Sequence, residues 1–330
     1  MILFSNTYFK YQVILDTNNC PVYNIFEVIT LEIRVLRYFL EIAREESMTR
    51  AAQTLHISQP TLSRTMKELE SELGRQLFVR SSYSIRLTDE GMLLRKRAED
   101  LLAMADKISD EFRSLDALSR GEVYIGCAES HLISYLARAV SSVYEKHPGI
   151  HYHITSGGTE HVSEKLDKGL YDFAVIVEPP DLSRYNYLEI PETDIWGAVM
   201  PKDHPLAEKA AVTVEDLIPY PVFVSEQSMA ADLPRWCGEK ADRLNVLASF
   251  NLSYNAAVFT KEGLGVTLTF DKLINTSEES GLVFRPLSPK LGNKMYVIWK
   301  KHRIFTPAAQ CLIEELGSVI KTKYNPYSVT

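Results

Sequence analysis

Residues 47–88 read SMTRAAQTLHISQPTLSRTMKELESELGRQLFVRSSYSIRLT, and the fold is decided there. Ser58 precedes Gln59-Pro60-Thr61, a helix start. Its hydroxyl can accept from a first-turn backbone N–H that has no other partner, and Pro60 sits where a missing N–H costs nothing. Leu62, Met66, Leu69 and Leu73 follow at helical spacing, so one face of this helix is expected to be buried. The opposite face carries Gln59, Thr61, Ser63, Arg64 and Lys67, side chains that can read base edges and hold phosphates. Upstream, Met48 to Leu55 reads as a shorter helix with Ala51, Ala52 and Leu55 as packing residues, and His56-Ile57 makes the connection. Two short helices, a tight turn and small residues at the crossing describe a helix-turn-helix.

Leu77-Phe78-Val79-Arg80 and Ile85-Arg86-Leu87-Thr88 flank Ser81-Ser82-Tyr83-Ser84 as two short apolar-basic strands, a wing placed to lie on a sugar-phosphate backbone. Between 47 and 88, six basic residues (Arg50, Arg64, Lys67, Arg75, Arg80 and Arg86) face three acids (Glu68, Glu70 and Glu72). The stretch is therefore +3 within a chain of formal charge −7. A basic island in an acidic protein is the footprint of a nucleic-acid site, and it weighs against a helical hairpin that merely packs. The expected DNA-contacting set is Thr49, Ser58, Gln59, Pro60, Thr61, Ser63, Arg64 and Lys67, with Arg80 and Arg86 on the backbone.

Ala51-Ala52, Ser58-Gln59-Pro60, Ser63, Leu69-Glu70, Leu73-Gly74, Leu77-Phe78, Arg80, Leu87-Thr88 and Gly91 together strongly resemble the LysR-type transcriptional regulators. The resemblance runs from residue 31 to about 320 and is strongest before residue 91. It implies a winged helix-turn-helix, a long linker helix and a two-lobed α/β effector-binding domain shaped like a type 2 periplasmic binding protein. It also implies duplex promoter DNA, a small-molecule effector and RNA polymerase as partners, and tetramers built as pairs of dimers. Tyr83 stands where the family usually has a second basic wing residue, which weakens the wing's expected grip on phosphate.

Composition sets the bounds. A chain of 330 residues has room for two or more domains, and 45% hydrophobic with 24% charged residues is ordinary for a globular protein. Cys20, Cys127, Cys237 and Cys311 lie far apart without a C-x-x-C pair or clustered histidines. No disulfide framework, metal site or cofactor is expected, and a reducing, cytoplasmic compartment fits. No apolar run is long enough to span a membrane.

Residues 1–30 contain no basic segment before an apolar one, so they do not read as a signal peptide. Family members usually begin just before the first helix. We therefore expect translation to start at Leu31 from a non-standard codon, with 1–30 an annotation overhang; the alternative is a genuine extension that packs on the dimer. The winged domain is expected over 31–88. Its first helix spans Ile33 to Glu45, with Ile33, Leu36, Phe39, Leu40 and Ala43 as the buried stripe.

A linker helix is expected over 89–118, capped by Thr88. Leu94, Ala98, Leu101, Ala105, Ile108, Phe112 and Leu115 follow a four-three-four-three spacing, a heptad seam that suits pairing with a second copy. Two copies would present two recognition helices to one face of DNA.

Beyond Ser119-Arg120-Gly121, strand and helix signals alternate to the end, as in parallel sheets with right-handed crossovers. The effector domain is expected over 121–330. Its first lobe takes about 121–190 and 287–330, and its second about 191–286. Polar residues after Pro179-Pro180 read as a crossing, and the second lobe's first strand as Ile195 to Met200. The chain is expected back in the first lobe near Leu282 to Pro286.

Ligands in such lobes sit at strand ends near helix N-termini. Ser130, His131, Gly158, Thr159 and Ser225 occupy such places, and by resemblance Ser130, Thr159 and Ser225 would hold an effector carboxylate or hydroxyl. Each alone reads equally well as a helix cap. The exposed helix starts point to a small anionic metabolite, and Glu129 and His131 could tune the choice. Two other classes compete. Residues 121–330 alone would suit a solute-binding protein of a transport system. An enzyme is disfavoured: there is no GxSxG, P-loop, GxGxxG or HExxH, and no catalytic residue is assigned.

Overall fold

A computed structural model describes residues 31–80, 84–114, 121–178 and 181–323. The 1–30 extension, Tyr83 at the wing tip, Leu115 and Pro179-Pro180 lie outside the described residues. The chain forms two compact units, one ending at Asp106 and the other starting at Lys107.

The first unit begins with α1 (Ile33–Glu45), α2 (Met48–Thr54) and α3 (Gln59–Leu73). Ser47 caps α2 by accepting from Arg50 N, and Ser58 caps α3 by accepting from Thr61 N at 3.3 Å. His56 makes the turn between them in a left-handed conformation, φ 53°. The strands β1 (Phe78–Arg80) and β2 (Ile85–Leu87) pair antiparallel, with Phe78 opposite Leu87. Helix α4 (Asp89–Ser114) follows, its start capped by Thr88 Oγ1, which accepts from Gly91 N at 3.0 Å. Leu36, Phe39, Ile42, Ala51, Leu62, Met66, Leu69, Leu77 and Phe78 close one core with Ala98 and Leu102 of α4. Ile33, expected in the buried stripe of α1, is half exposed, and Ile42 takes that role. Ile33 is the first residue of the helix, so it has no preceding turn to be covered by.

The second unit runs β3 (Gly121–Cys127), α5 (Ser134–Lys146), β4 (Ile150–Ser156), α6 (Thr159–Asp167) and β5 (Phe173–Val177). It continues through β6 (Tyr185–Pro201), α7 (Val214–Leu217), β7 (Pro221–Ser225), α8 (Glu226–Ala230), α9 (Asp232–Cys237), β8 (Asn245–Phe250) and α10 (Ser253–Lys261). It ends with β9 (Val266–Phe270), β10 (Leu282–Pro286), β11 (Gly292–Lys300) and α11 (Pro307–Lys323). One nine-stranded sheet runs β4-β3-β5-β11-β6-β9-β7-β8, with β10 paired to β6.

The pairing directions explain the two lobes. Strands β4, β3 and β5 are parallel neighbours, as are β9, β7 and β8. Between the two triplets stand β6 and β11, antiparallel to each other and to their other sheet neighbours. These two long strands are the crossings, so the hinge lies where Thr193, Asp194 and Ile195 pair with Lys294, Asn293 and Gly292.

Two expectations are corrected here. Tyr185 to Asp194 is part of strand β6 and not merely a polar link. Its Pro191, which cannot donate to a ladder, falls where the β11 register shifts between Lys294 and Tyr296. Leu282 to Pro286 pairs with Gly197 to Pro201, and the return to the first lobe is made by β11.

Candidate functional site

The polar face of α3 stands clear of its own core. Leu62, Met66 and Leu69 are buried, while Gln59, Pro60, Thr61, Arg64 and Lys67 are exposed and Ser63 is half-buried. Ser58 fixes the first turn twice: Thr61 N donates to its Oγ, and the two hydroxyls lie 2.7 Å apart. Arg64 Nε donates to Glu68 Oε1 one turn on, at 2.9 Å, with both side chains exposed. Thr49 is exposed at the start of α2, and Arg86 is exposed on β2. Arg80 ends β1, but its side chain lies outside the described residues.

The expected heptad seam divides. Ala98 is buried in the first unit's core, and Leu94 packs against that core. Ala105 is half-buried. Leu101, Ile108 and Phe112 are exposed, Phe112 by 71%. Leu40, Leu55 and Leu102 line an open groove together with Arg37, Arg44 and Arg95. Periodicity alone could not separate the two halves of the seam. The core-facing residues and the solvent-facing ones fall on adjoining strips of one helix.

In the second unit the hydroxyls of Ser130, Thr159 and Ser225 each have an intramolecular partner. Ser130 Oγ donates to Asp194 Oδ2 at 2.7 Å and accepts from Leu132 N at 2.9 Å. Thr159 Oγ1 bonds to both backbone groups of Val177. Ser225 caps α8 by accepting from Ser228 N at 3.1 Å. Gly158 precedes α6, and a Cβ there would meet only Gln227 Oε1, at 3.6 Å. Between the lobes, Gln227 Oε1 accepts from Thr159 N at 3.0 Å, Glu129 Oε2 accepts from Ser253 N at 2.8 Å, and Arg235 pairs with Glu178.

Asp194 was not singled out by its sequence, although a charge in a strand beside Ile195-Trp196 is the signal that marks it. Its side chain is fully buried at the hinge. Oδ2 takes the Ser130 hydroxyl, while Oδ1 faces His131 Nδ1 at 3.2 Å without hydrogen-bond geometry. Burial pushes this carboxyl above the ordinary carboxylate range, against the opposing pull of Ser130 and His131. The folded state therefore keeps a proton that the unfolded chain has released. The group's contribution to stability is full at low pH and is lost as pH rises through the raised value. Asp194→Asn removes that dependence. In urea titrations between about pH 4 and pH 7, the variant should gain stability relative to the parent as pH rises. A difference independent of pH would show that Asp194 does not titrate in this window.

Among the described residues, no group of three or more His, Cys, Asp or Glu could hold a metal ion, and no helix is long and apolar enough to cross a membrane.

Comparison with known proteins places these two units. Residues 33–92 match the model of the bacterial regulatory helix-turn-helix protein, lysR family, and residues 116–321 match the LysR substrate binding domain. The transcriptional regulator XapR of Escherichia coli (strain K12) is 27% identical over 293 residues, 86% of this chain and 97% of its own. The Hca operon transcriptional activator HcaR of the same organism is 28% identical over 299 residues, 88% of this chain and 99% of its own. Among solved structures, full-length CbnR complexed with its target DNA superposes with a TM-score of 0.69 at 18% identity, covering 88% of this chain and all of that one. With one model matched over the helix-turn-helix and the other over most of the lobed unit, the chain belongs to the LysR family of transcriptional regulators.

Proposed function

We propose that this regulator reads promoter DNA through the exposed face of α3, that α4 pairs two copies, and that the cleft between lobes takes a small anionic effector. The observation that carries the reading is the division of α3 into a buried apolar face and an exposed face bearing Gln59, Thr61, Arg64 and Lys67. CbnR, similar in fold, was solved on its target DNA. The winged domain is taken as 31–88, the linker helix as 89–118 and the effector domain as 121–330. The exposed Leu101, Ile108 and Phe112 are the part of the seam open to a partner, giving a dimer and, through pairs of dimers, a tetramer. The protein works in the cytoplasm beside RNA polymerase and catalyses no reaction. By population shift, effector binding closes the two lobes, alters how the regulatory domains associate and changes the spacing of the DNA-binding pairs.

The test is a gel shift with the promoter region upstream of the protein's own coding sequence. Arg64→Ala should weaken specific binding by about 1–3 kcal/mol and relax sequence preference. Among the described residues it pairs with a solvent-exposed Glu68, so the fold should lose little. Lys67→Ala should weaken all duplexes alike and reduce the salt slope by about 1. Unchanged affinity and preference in Arg64→Ala would remove α3 as the reading element.

A further inference from the structure

Two helices that open onto the cleft carry no cap of their own. Gly158 precedes α6 and Leu252 precedes α10, and neither supplies a side-chain acceptor. First-turn amides without a partner are strong donors. Each of these helices is capped from the opposite lobe instead. Gln227, from α8 of the second lobe, accepts from Thr159 N through Oε1 at 3.0 Å and donates to Thr159 Oγ1 through Nε2 at 3.2 Å. Glu129, following β3 of the first lobe, accepts from Ser253 N at 2.8 Å. The exchange is reciprocal, one acceptor travelling each way. By contrast, α8 is capped by its own Ser225.

We propose that Glu129 and Gln227 act as one latch between the lobes, beside the Arg235–Glu178 ion pair that also joins them. An effector that occupies these helix starts must displace the latch. The two bonds lie on opposite walls of one cleft whose lobes are joined by β6 and β11. As parts of one latch they open together, even with the Arg235–Glu178 ion pair intact. This deepens the reading of the cleft as an effector site and rests on it. An entering anion would compete with the Glu129 carboxylate and the Gln227 amide oxygen for the same N–H groups.

Amide hydrogen exchange of the full-length protein, without DNA or any added ligand, tests the coupling. Glu129→Ala should speed exchange about tenfold in the segment holding Ser253 and, decisively, also in the segment holding Thr159, where Gln227 is intact. Gln227→Ala should do the converse. Glu129→Gln keeps an acceptor oxygen and should restore most of the protection at both. Trp196, Trp236 and Trp299 all lie in this unit, so their emission reports whether each variant is folded. If one alanine variant unfolds, the other decides. Acceleration confined to the segment that lost its own cap would overturn the latch and leave two local caps. Because exchange is read without DNA, that result would leave promoter recognition standing, and a failed gel shift would leave the latch standing.

Discussion

Asp172→Ala is expected to destabilise the second unit by about 3–5 kcal/mol, the cost of breaking a buried ion pair from one side. The carboxylate is 3% exposed and gathers three donors. Lys107 Nζ reaches Oδ1 at 2.9 Å, Arg303 Nη2 reaches the same oxygen at 2.7 Å, and Tyr124 N donates to Oδ2 at 2.8 Å. Lys107 is equally buried, and its other contacts are Leu170 O at 3.3 Å and the Tyr124 ring. Without Asp172 the ammonium would keep a carbonyl, a ring face and the weaker pull of Glu111. Burial already holds Lys107 below the ordinary lysine range despite Asp172, and the substitution removes the main opposing influence.

The sign of the pH response follows. A lysine depressed in the folded state loses its proton there before it does in the unfolded chain, so stability rises with pH between the two values. The deficit of Asp172→Ala should therefore shrink in alkaline solution. Tryptophan emission during urea unfolding measures it, since all three tryptophans lie in this unit. Asp172→Asn keeps acceptors for Tyr124 N and Lys107 and should cost less. A loss below 1 kcal/mol in the alanine variant would mean that water reaches Lys107 and the pair is not buried.

Lys107 also shows where the sequence stops being readable. In a stretch rich in Asp, Glu, Lys and Arg, it looks like any solvated helix residue. Only the arrival of Asp172 and Leu170, more than sixty positions on, gives it a partner. Local chemistry was legible. Ser58, Pro60 and the Leu62-Met66-Leu69 spacing act within one helix, and the strand-helix alternation acts within neighbouring elements. Leu94 and Ala98 fit a seam equally well whether the covering surface is the same domain or a second chain. Likewise β6 hides its first half because Tyr185 to Asp194 carries polar residues and a proline, and its strand character comes from the distant β11.

The cleft divides in the same way. The segments around Ser130, Thr159 and Ser225 were visible as strand-end turns, but their hydroxyls are engaged within the fold. Glu129, Gln227 and the Arg235–Glu178 pair reach across, and the buried hinge acid is Asp194. Nothing local distinguishes Gln227 from its neighbours Glu226 and Ser228. Its role depends on α6 having glycine where a capping side chain would sit.

Gly91→Val should unfold or loosen the first unit at a cost of about 3 kcal/mol or more, the upper end for overpacking, because the obstacle is backbone. A Cβ on Gly91 would lie 2.2 Å from Leu77 O and 3.1 Å from Leu87 Cδ2. Leu77 cannot easily retreat. Its carbonyl accepts from Thr88 N at 3.0 Å, its N–H donates to Glu70 Oε1 at 2.9 Å, and its side chain is in the core. Relief would have to come from lifting the first turn of α4 off the start of the wing, which uncovers Ala98 and Leu102.

Gly74 provides the contrast. It closes α3 at φ +62° with no atom within 4 Å of a Cβ, so Gly74→Ala meets only left-handed strain of about 1–2 kcal/mol. Promoter binding and helical circular dichroism should both fall in Gly91→Val and persist in Gly74→Ala. Tryptophan emission should be unchanged in each, because no tryptophan lies in the first unit. A Gly91→Val protein with parental melting and promoter affinity would show that α4 does not start against Leu77. The packing that joins wing, recognition helix and linker into one domain would then have to be redrawn.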